Sequence, residues 1–145
     1  MNIRVLLVDD EKEFVDALAE RLRIRNVYVS AVFSGEEALN QLDEFNFDVV
    51  ILDVSMPGLS GIETLKKIKK KKPITEVLML TGQGTIDTAI EGMKQGAFDF
   101  LLKPCEIDKL MEKIKSAYEK KSEHDEKIKK ALSDKLSTSP MSVFE

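Results

Sequence analysis

VVILDVSMPG, residues 49–58, sets four apolar residues directly against a carboxylate. Val49 to Leu52 show no polar alternation, the pattern of a strand covered on both faces and therefore of a parallel sheet. The run stops on Asp53, and a loop rich in turn residues follows. A strand built for burial that ends on an ionisable group either meets solvent there or holds that group in a site. What the rest of the chain brings to the same edge decides between the two.

Outward from this strand, short apolar runs alternate with amphipathic segments. Residues 3–8 (IRVLLV) form a first strand that runs into Asp9, Asp10 and Glu11. Phe14, Leu18 and Leu22 recur every four residues, so residues 12–25 are a helix with one apolar stripe. VYVSAVF (27–33) is β-branched and aromatic, a second strand. Ser34 caps the next helix, and the acids Glu36 and Glu37 suit its first turn. After the third strand, DVVILD, a helix from about Ile62 turns Leu65 and Ile68 inward until Pro73 stops it. EVLMLT (76–81) is the fourth strand, 85–96 the fourth helix and FDFLLK (98–103) the fifth strand, broken by Pro104. Glu106 and Asp108 open a last helix carrying Ile107, Leu110, Met111 and Ile114. Five repeats of strand and helix predict an α/β protein, a doubly wound parallel sheet with helices on both faces.

Ligand sites in such sheets lie beyond the carboxyl ends of the strands. Strand one ends on Asp9 and Asp10, strand three on Asp53, strand four on Thr81 and strand five on Lys103. Taken singly, each is more often a solvated strand end than a ligand; together they make a site the better explanation. With strands one and three adjacent, about 4.8 Å apart, the three carboxylates crowd one pocket and demand positive charge. Lys103 supplies part, and an all-oxygen donor set favours Mg²⁺ over Zn²⁺ for the rest. A carboxylate beside Mg²⁺, an ammonium and a hydroxyl is equipped to attack a phosphoryl group.

Composition excludes several alternatives. With 145 residues the chain suits one domain, and a net charge of −4 argues against general nucleic-acid affinity. Its single cysteine, Cys105, rules out an internal disulfide and a cysteine-type zinc site, and a cytoplasmic setting is expected. The N-terminus is too short in apolar residues for a signal peptide or membrane span. TGQGTID lacks the third glycine of a dinucleotide loop, and no phosphate-binding loop of the ATPase kind exists. KKIKKKKP (66–73), without interleaved aromatics, reads as a solvated helix face, and lone His124 as exposed.

VDDE at 8–11, LDVSMPGLSG at 52–61, MLTG at 79–82 and GAFDFLLKP at 96–104 together resemble the receiver domain of bacterial two-component response regulators. The resemblance covers residues 1–120 and implies a flavodoxin-like sheet of order 2-1-3-4-5. It implies Asp53 as phosphoacceptor, and Mg²⁺ held by Asp10 and Asp53 directly, by Asp9 largely through water and by the Ser55 backbone carbonyl. Lys103 would pair with a phosphoryl oxygen across a cis bond to Pro104, an isomer that X-Pro linkages permit at small cost. Thr81 would close on the phosphoryl group, and Phe100 would turn inward as it does. Spacing alone leaves Phe100 equally a core residue. Ser55 and Gln83 occupy the positions that tune phosphoryl lifetime, and their weak basicity implies slow to intermediate self-dephosphorylation.

LTGQGTIDTAIEGMKQGAFDFLLKPCEIDKL resembles receivers of transcriptional activators of the nitrogen-regulator and dicarboxylate-regulator type, in which an ATPase domain follows. The tail ends without a break inside a structured segment, so a free-standing regulator is expected. Residues 121–145 are expected to comprise a charged helical extension and, from residue 137, a disordered tail. Lys121, His124 and Asp125 interrupt any coiled-coil seam. Implied partners are a sensor histidine kinase or phosphotransfer protein as donor and an unidentified protein that reads the fourth helix, fifth strand and fifth helix. A homodimer through that face is a further expectation; direct DNA binding and membrane association are not expected. Two other readings remain: a Mg²⁺-dependent aspartyl-phosphate phosphohydrolase, disfavoured because Ser55 stands where a second aspartate would act as acid, and an unphosphorylated docking module of the same fold.

Overall fold

A computed structural model describes residues 2–54, 60–82 and 86–138. Its elements follow in strict alternation: β1 (Arg4–Val8), α1 (Lys12–Ile24), β2 (Tyr28–Val32), α2 (Gly35–Glu44), β3 (Val49–Asp53), α3 (Gly61–Lys71), β4 (Glu76–Thr81), α4 (Ile86–Lys94), β5 (Asp99–Leu102) and α5 (Ile107–Thr138). All pairings are parallel, in the order β2-β1-β3-β4-β5. The expected doubly wound α/β sheet is therefore the one formed. The switch in strand order lies between β1 and β3, where Val8 pairs with Leu52 and leaves Asp9 and Asp53 just beyond.

Alternating strand residues serve two cores. Leu7, Ile51 and Leu80 face the layer of α1 and α5, whereas Leu6, Val50 and Met79 face that of α2 and α3. β1, β3 and β4 thus consist of almost continuous apolar residues, because neither face meets water. The α4 helix is held differently. Its buried residues are Ala89 and Gly92, while Ile86, Ile90 and Met93 stay exposed.

Two helix ends aim the following strands by the same device. After α1, Asn26 takes a left-handed φ of 65°, and the amides of Asn26 and Val27 return to the carbonyls of Arg23 and Leu22. After α4, Gly96 at φ 102° repeats this, with Gly96 to Met93 and Ala97 to Gly92. Both are left-handed C-terminal caps that satisfy otherwise orphaned carbonyls. At the start of α2 the Ser34 hydroxyl accepts the Glu37 amide at 3.1 Å while the Glu37 carboxylate accepts the Phe33 amide at 2.7 Å. Replacing Ser34 with Ala should cost about 1 kcal/mol, read as a lower urea midpoint at unchanged slope.

The foot of the sheet, opposite the carboxyl ends, is tied by charge. Glu76 is buried, with Lys69 at 3.5 Å and Lys120 at 3.4 Å. Lys121 reaches Asp48 at 3.2 Å and Asp125 at 3.1 Å. Lys69 also donates to the carbonyls of Pro73 and Thr75, and Lys71 pairs with Asp43 at 2.5 Å, so two members of the lysine-rich run are engaged while Lys66, Lys67 and Lys70 are solvated as expected. Past this tie α5 continues as one helix to Thr138, two residues into the segment expected to be disordered, with Ile128 and Leu132 exposed. No helix among the described residues is long and apolar enough to cross a membrane.

Candidate functional site

The switch point in strand order leaves the ends of β1 and β3 side by side, and two acids sit there. Asp9 follows β1 and is fully buried; its amide donates to the Val32 carbonyl and its Oδ1 accepts from the Glu11 amide at 2.9 Å. Asp53 ends β3 and is 2 % exposed. Asp10, next in the chain, is exposed. One carboxylate oxygen from each of the three lies within 4.8 Å of the others. The crowding predicted from strand ends is present, with Asp10 at its open side.

The far side of the pocket comes from β4 and β5. The Lys103 amide donates to the Thr81 carbonyl at 2.7 Å, which holds the two residues together, and the Lys103–Pro104 bond is cis. Lys103 Nζ lies 2.6 Å from Asp9 Oδ2, 3.5 Å from Glu11 Oε1 and 3.7 Å from Asp53 Oδ2. Thr81 is fully buried, and its hydroxyl has no hydrogen-bond partner among the described residues. An orphaned hydroxyl at a buried strand end costs stability unless a ligand satisfies it. Phe100, paired with Met79, is half-buried against the α2–α3 core.

Charge and burial act in opposition here. Burial foremost raises the Asp9 pKa and the Asp53 charge adds to it, against the lowering effect of Lys103 and the Glu11 amide. For Lys103, burial disfavours the ammonium, but the hydrogen bond to Asp9 and the charges of Asp53, Asp9 and Glu11 outweigh it and raise its pKa. Because the folded-state Asp9 pKa is raised, its contribution to stability is complete below the ordinary value of 3.8 and is lost as pH rises through the raised value. Three oxygen donors crowded at a rim suit a hard divalent cation, and Mg²⁺ fits this set.

Ser55 and Gln83 lie outside the described residues. Two neighbours of Lys103 escaped the sequence: Glu11, read only as part of an acidic run, and Phe14, read only as part of the α1 stripe. The Phe14 ring centroid is 4.4 Å from Lys103 Nζ. Cys105 is half-buried against the α1–α5 core, and burial pushes its thiol pKa up, away from reactivity.

Residues 5–115 match the family model described as the response regulator receiver domain. The chain belongs to that family. This receiver is 39% identical over 116 residues to the transcriptional regulatory protein ZraR of Salmonella typhimurium, covering 80% of this chain and 26% of that protein. It is 40% identical over 114 residues to the response regulator protein FleR of Pseudomonas aeruginosa, covering 79% of this chain and 24% of that one. The receiver therefore spans about a quarter of the length of these curated relatives. Among solved structures, a receiver domain protein from Clostridium thermocellum superposes with a TM-score of 0.80 at 38% identity, covering 83% of this chain and 97% of that one. NtrX from Brucella abortus gives 0.80 at 32% identity over 92% of this chain and 30% of that one. The resemblance drawn from four motifs is thus shown across the domain, and it places the receiver in two-component signalling.

Proposed function

We propose that this receiver takes a phosphoryl group onto Asp53 from a sensor histidine kinase or phosphotransfer protein and passes the event to a protein partner. The observation that supports this best is the convergence of three carboxylates within 4.8 Å, beside Lys103 and the unsatisfied Thr81 hydroxyl. Asp9, Asp10 and Asp53 would hold Mg²⁺, which when bound neutralises the oxygens of the transferring group. An Asp53 carboxylate oxygen attacks phosphorus; the bond from phosphorus to the donor nitrogen breaks, and its electron pair leaves with the donor imidazole. Lys103 then shifts its hydrogen bond toward a phosphoryl oxygen, and the Thr81 hydroxyl donates to another.

Movement of Thr81 vacates space beside β4 into which Phe100 turns, a local charge event with a surface readout. The readout face is α4, β5 and the start of α5, where Ile86, Ile90, Met93 and Leu102 are exposed. Three large apolar residues on α4 and one at the end of β5 suit a partner protein that covers them.

Intact mass spectrometry after incubation with acetyl phosphate and Mg²⁺ tests the proposal. One phosphoryl group per chain is expected, mapped to Asp53 and prevented by EDTA. Labelling that is indifferent to EDTA, or that maps elsewhere, overturns it.

A further inference from the structure

Lys103 carries its charge on a flexible four-carbon stem, and three carboxylates lie within 3.7 Å of it. Its 2.6 Å hydrogen bond to Asp9 is the shortest of these contacts, so an ammonium left to carboxylates alone would stay there. On the reading given above it must instead leave Asp9 for an oxyanion built on Asp53. A hand-over of this kind needs a partner that retains the cation without binding it as an anion does.

Phe14 meets that need. It stands in the first turn of α1, half-buried, with its ring packed against the core layer of α1 and α5. The 4.4 Å between its centroid and Lys103 Nζ is within the range at which the π-face attracts a cation. The Lys103 side chain is only 17% exposed, so little water competes for that attraction. An aromatic ring has no lone pair to accept the ammonium's hydrogen bonds and bears no charge to lock it. The cation stays close while its hydrogen bonds change partner.

We infer that Phe14 is a positioning residue, the seat that keeps the Lys103 ammonium over the pocket while its hydrogen bond passes from Asp9 to the phosphoryl group on Asp53. The inference rests on the phosphoacceptor reading. It adds that α1 enters the site through an uncharged residue.

The test compares wild type, Phe14→Leu and Phe14→Tyr. Leucine keeps the apolar packing and removes the π-face; tyrosine keeps both. Phosphorylation rates are measured against acetyl phosphate concentration at saturating Mg²⁺, with the ¹³C–¹H signal of the Lys103 ε-methylene recorded on each protein. Phe14→Leu should lower the maximal rate about three- to tenfold, the range expected for loss of a partly desolvated cation–π contact. The concentration of donor giving half-maximal rate should stay unchanged. Its ε-methylene signal should lose the shift imposed by the ring current, and Phe14→Tyr should restore both rate and shift. A wild-type rate in Phe14→Leu, or an unmoved ε-methylene signal, overturns the seat while leaving the phosphoacceptor intact. A slowed Phe14→Tyr equal to Phe14→Leu also overturns it, since packing alone would then explain the loss. Absence of label from wild type sinks the phosphoacceptor reading itself, and the hand-over with it.

Discussion

Asp53→Asn should take up no phosphoryl group from acetyl phosphate and Mg²⁺, a loss on the order of a thousandfold or more, as expected when the nucleophile itself is removed. The amide is nearly isosteric, so the 2 % exposed position at the end of β3 keeps its packing. What changes is charge and nucleophilicity. The amide oxygen cannot carry a phosphoryl group as a stable acyl phosphate, and one of three crowded donors becomes neutral. A second consequence has a defined sign. The Asp53 charge is among the causes that raise the Asp9 pKa, so its removal lowers that pKa toward the ordinary range. Asp9 in the variant should therefore titrate at a lower pH, measured by ¹³C NMR of its carboxyl. Unaltered labelling would remove Asp53 from the acceptor role, whatever the family.

Gly61→Ala should be the most destabilising conservative change near the site. A Cβ at Gly61 would overlap the Cα of Val54 and stand 2.9 Å from the Asp53 carbonyl oxygen and the Val54 carbonyl carbon. All three atoms are backbone, so no side-chain rotation relieves the collision. The start of α3 and the end of β3 must separate, at a cost of about 3 kcal/mol, the upper end for overpacking a close contact. Because the displaced peptide carries Asp53, phosphorylation should slow even in the folded fraction. Gly92 makes the informative comparison. There a Cβ meets the end of the Met79 side chain, sulfur and terminal methyl, which can swing aside. Gly92→Ala should cost far less, and Gly regains helix propensity on replacement by Ala. Urea unfolding of the two variants side by side checks the ranking.

The central strands of the fold were readable because β1, β3 and β4 bury both faces and so show nearly unbroken apolar runs, as Val49 to Leu52 does. The edge was readable for a related reason: in a parallel sheet every strand ends at the same side, so one-dimensional positions become neighbours. The residues that shape Lys103 were not. Phe14 shares a four-residue spacing with Leu18 and Leu22, and that period assigns it to the core stripe. The buried stripe is in fact Val15, Leu18, Ala19 and Leu22, and Phe14 lies at its border. Nothing local marks the difference, since Lys103 is distant in sequence from α1 and meets it only through the sheet. Glu76 was hidden likewise: as the first residue of a strand it looks solvated, and only Lys69 and Lys120, from helices on opposite faces, explain its burial.

The charged tie at the foot of the sheet grips α5 at Lys120 and Lys121, and the helix then runs without interruption to Thr138. At 1.5 Å per residue that leaves a projecting spoke of about 25 Å. Whatever docks along the spoke has its azimuth fixed by the clamp, since a continuous helix transmits rotation as faithfully as length. A tilt of α5 at its packed base is magnified at the tip. One residue inserted beyond Lys121 would swing everything past it by about 100°, so the clamp sets the phase as well as the reach of the helix beyond it.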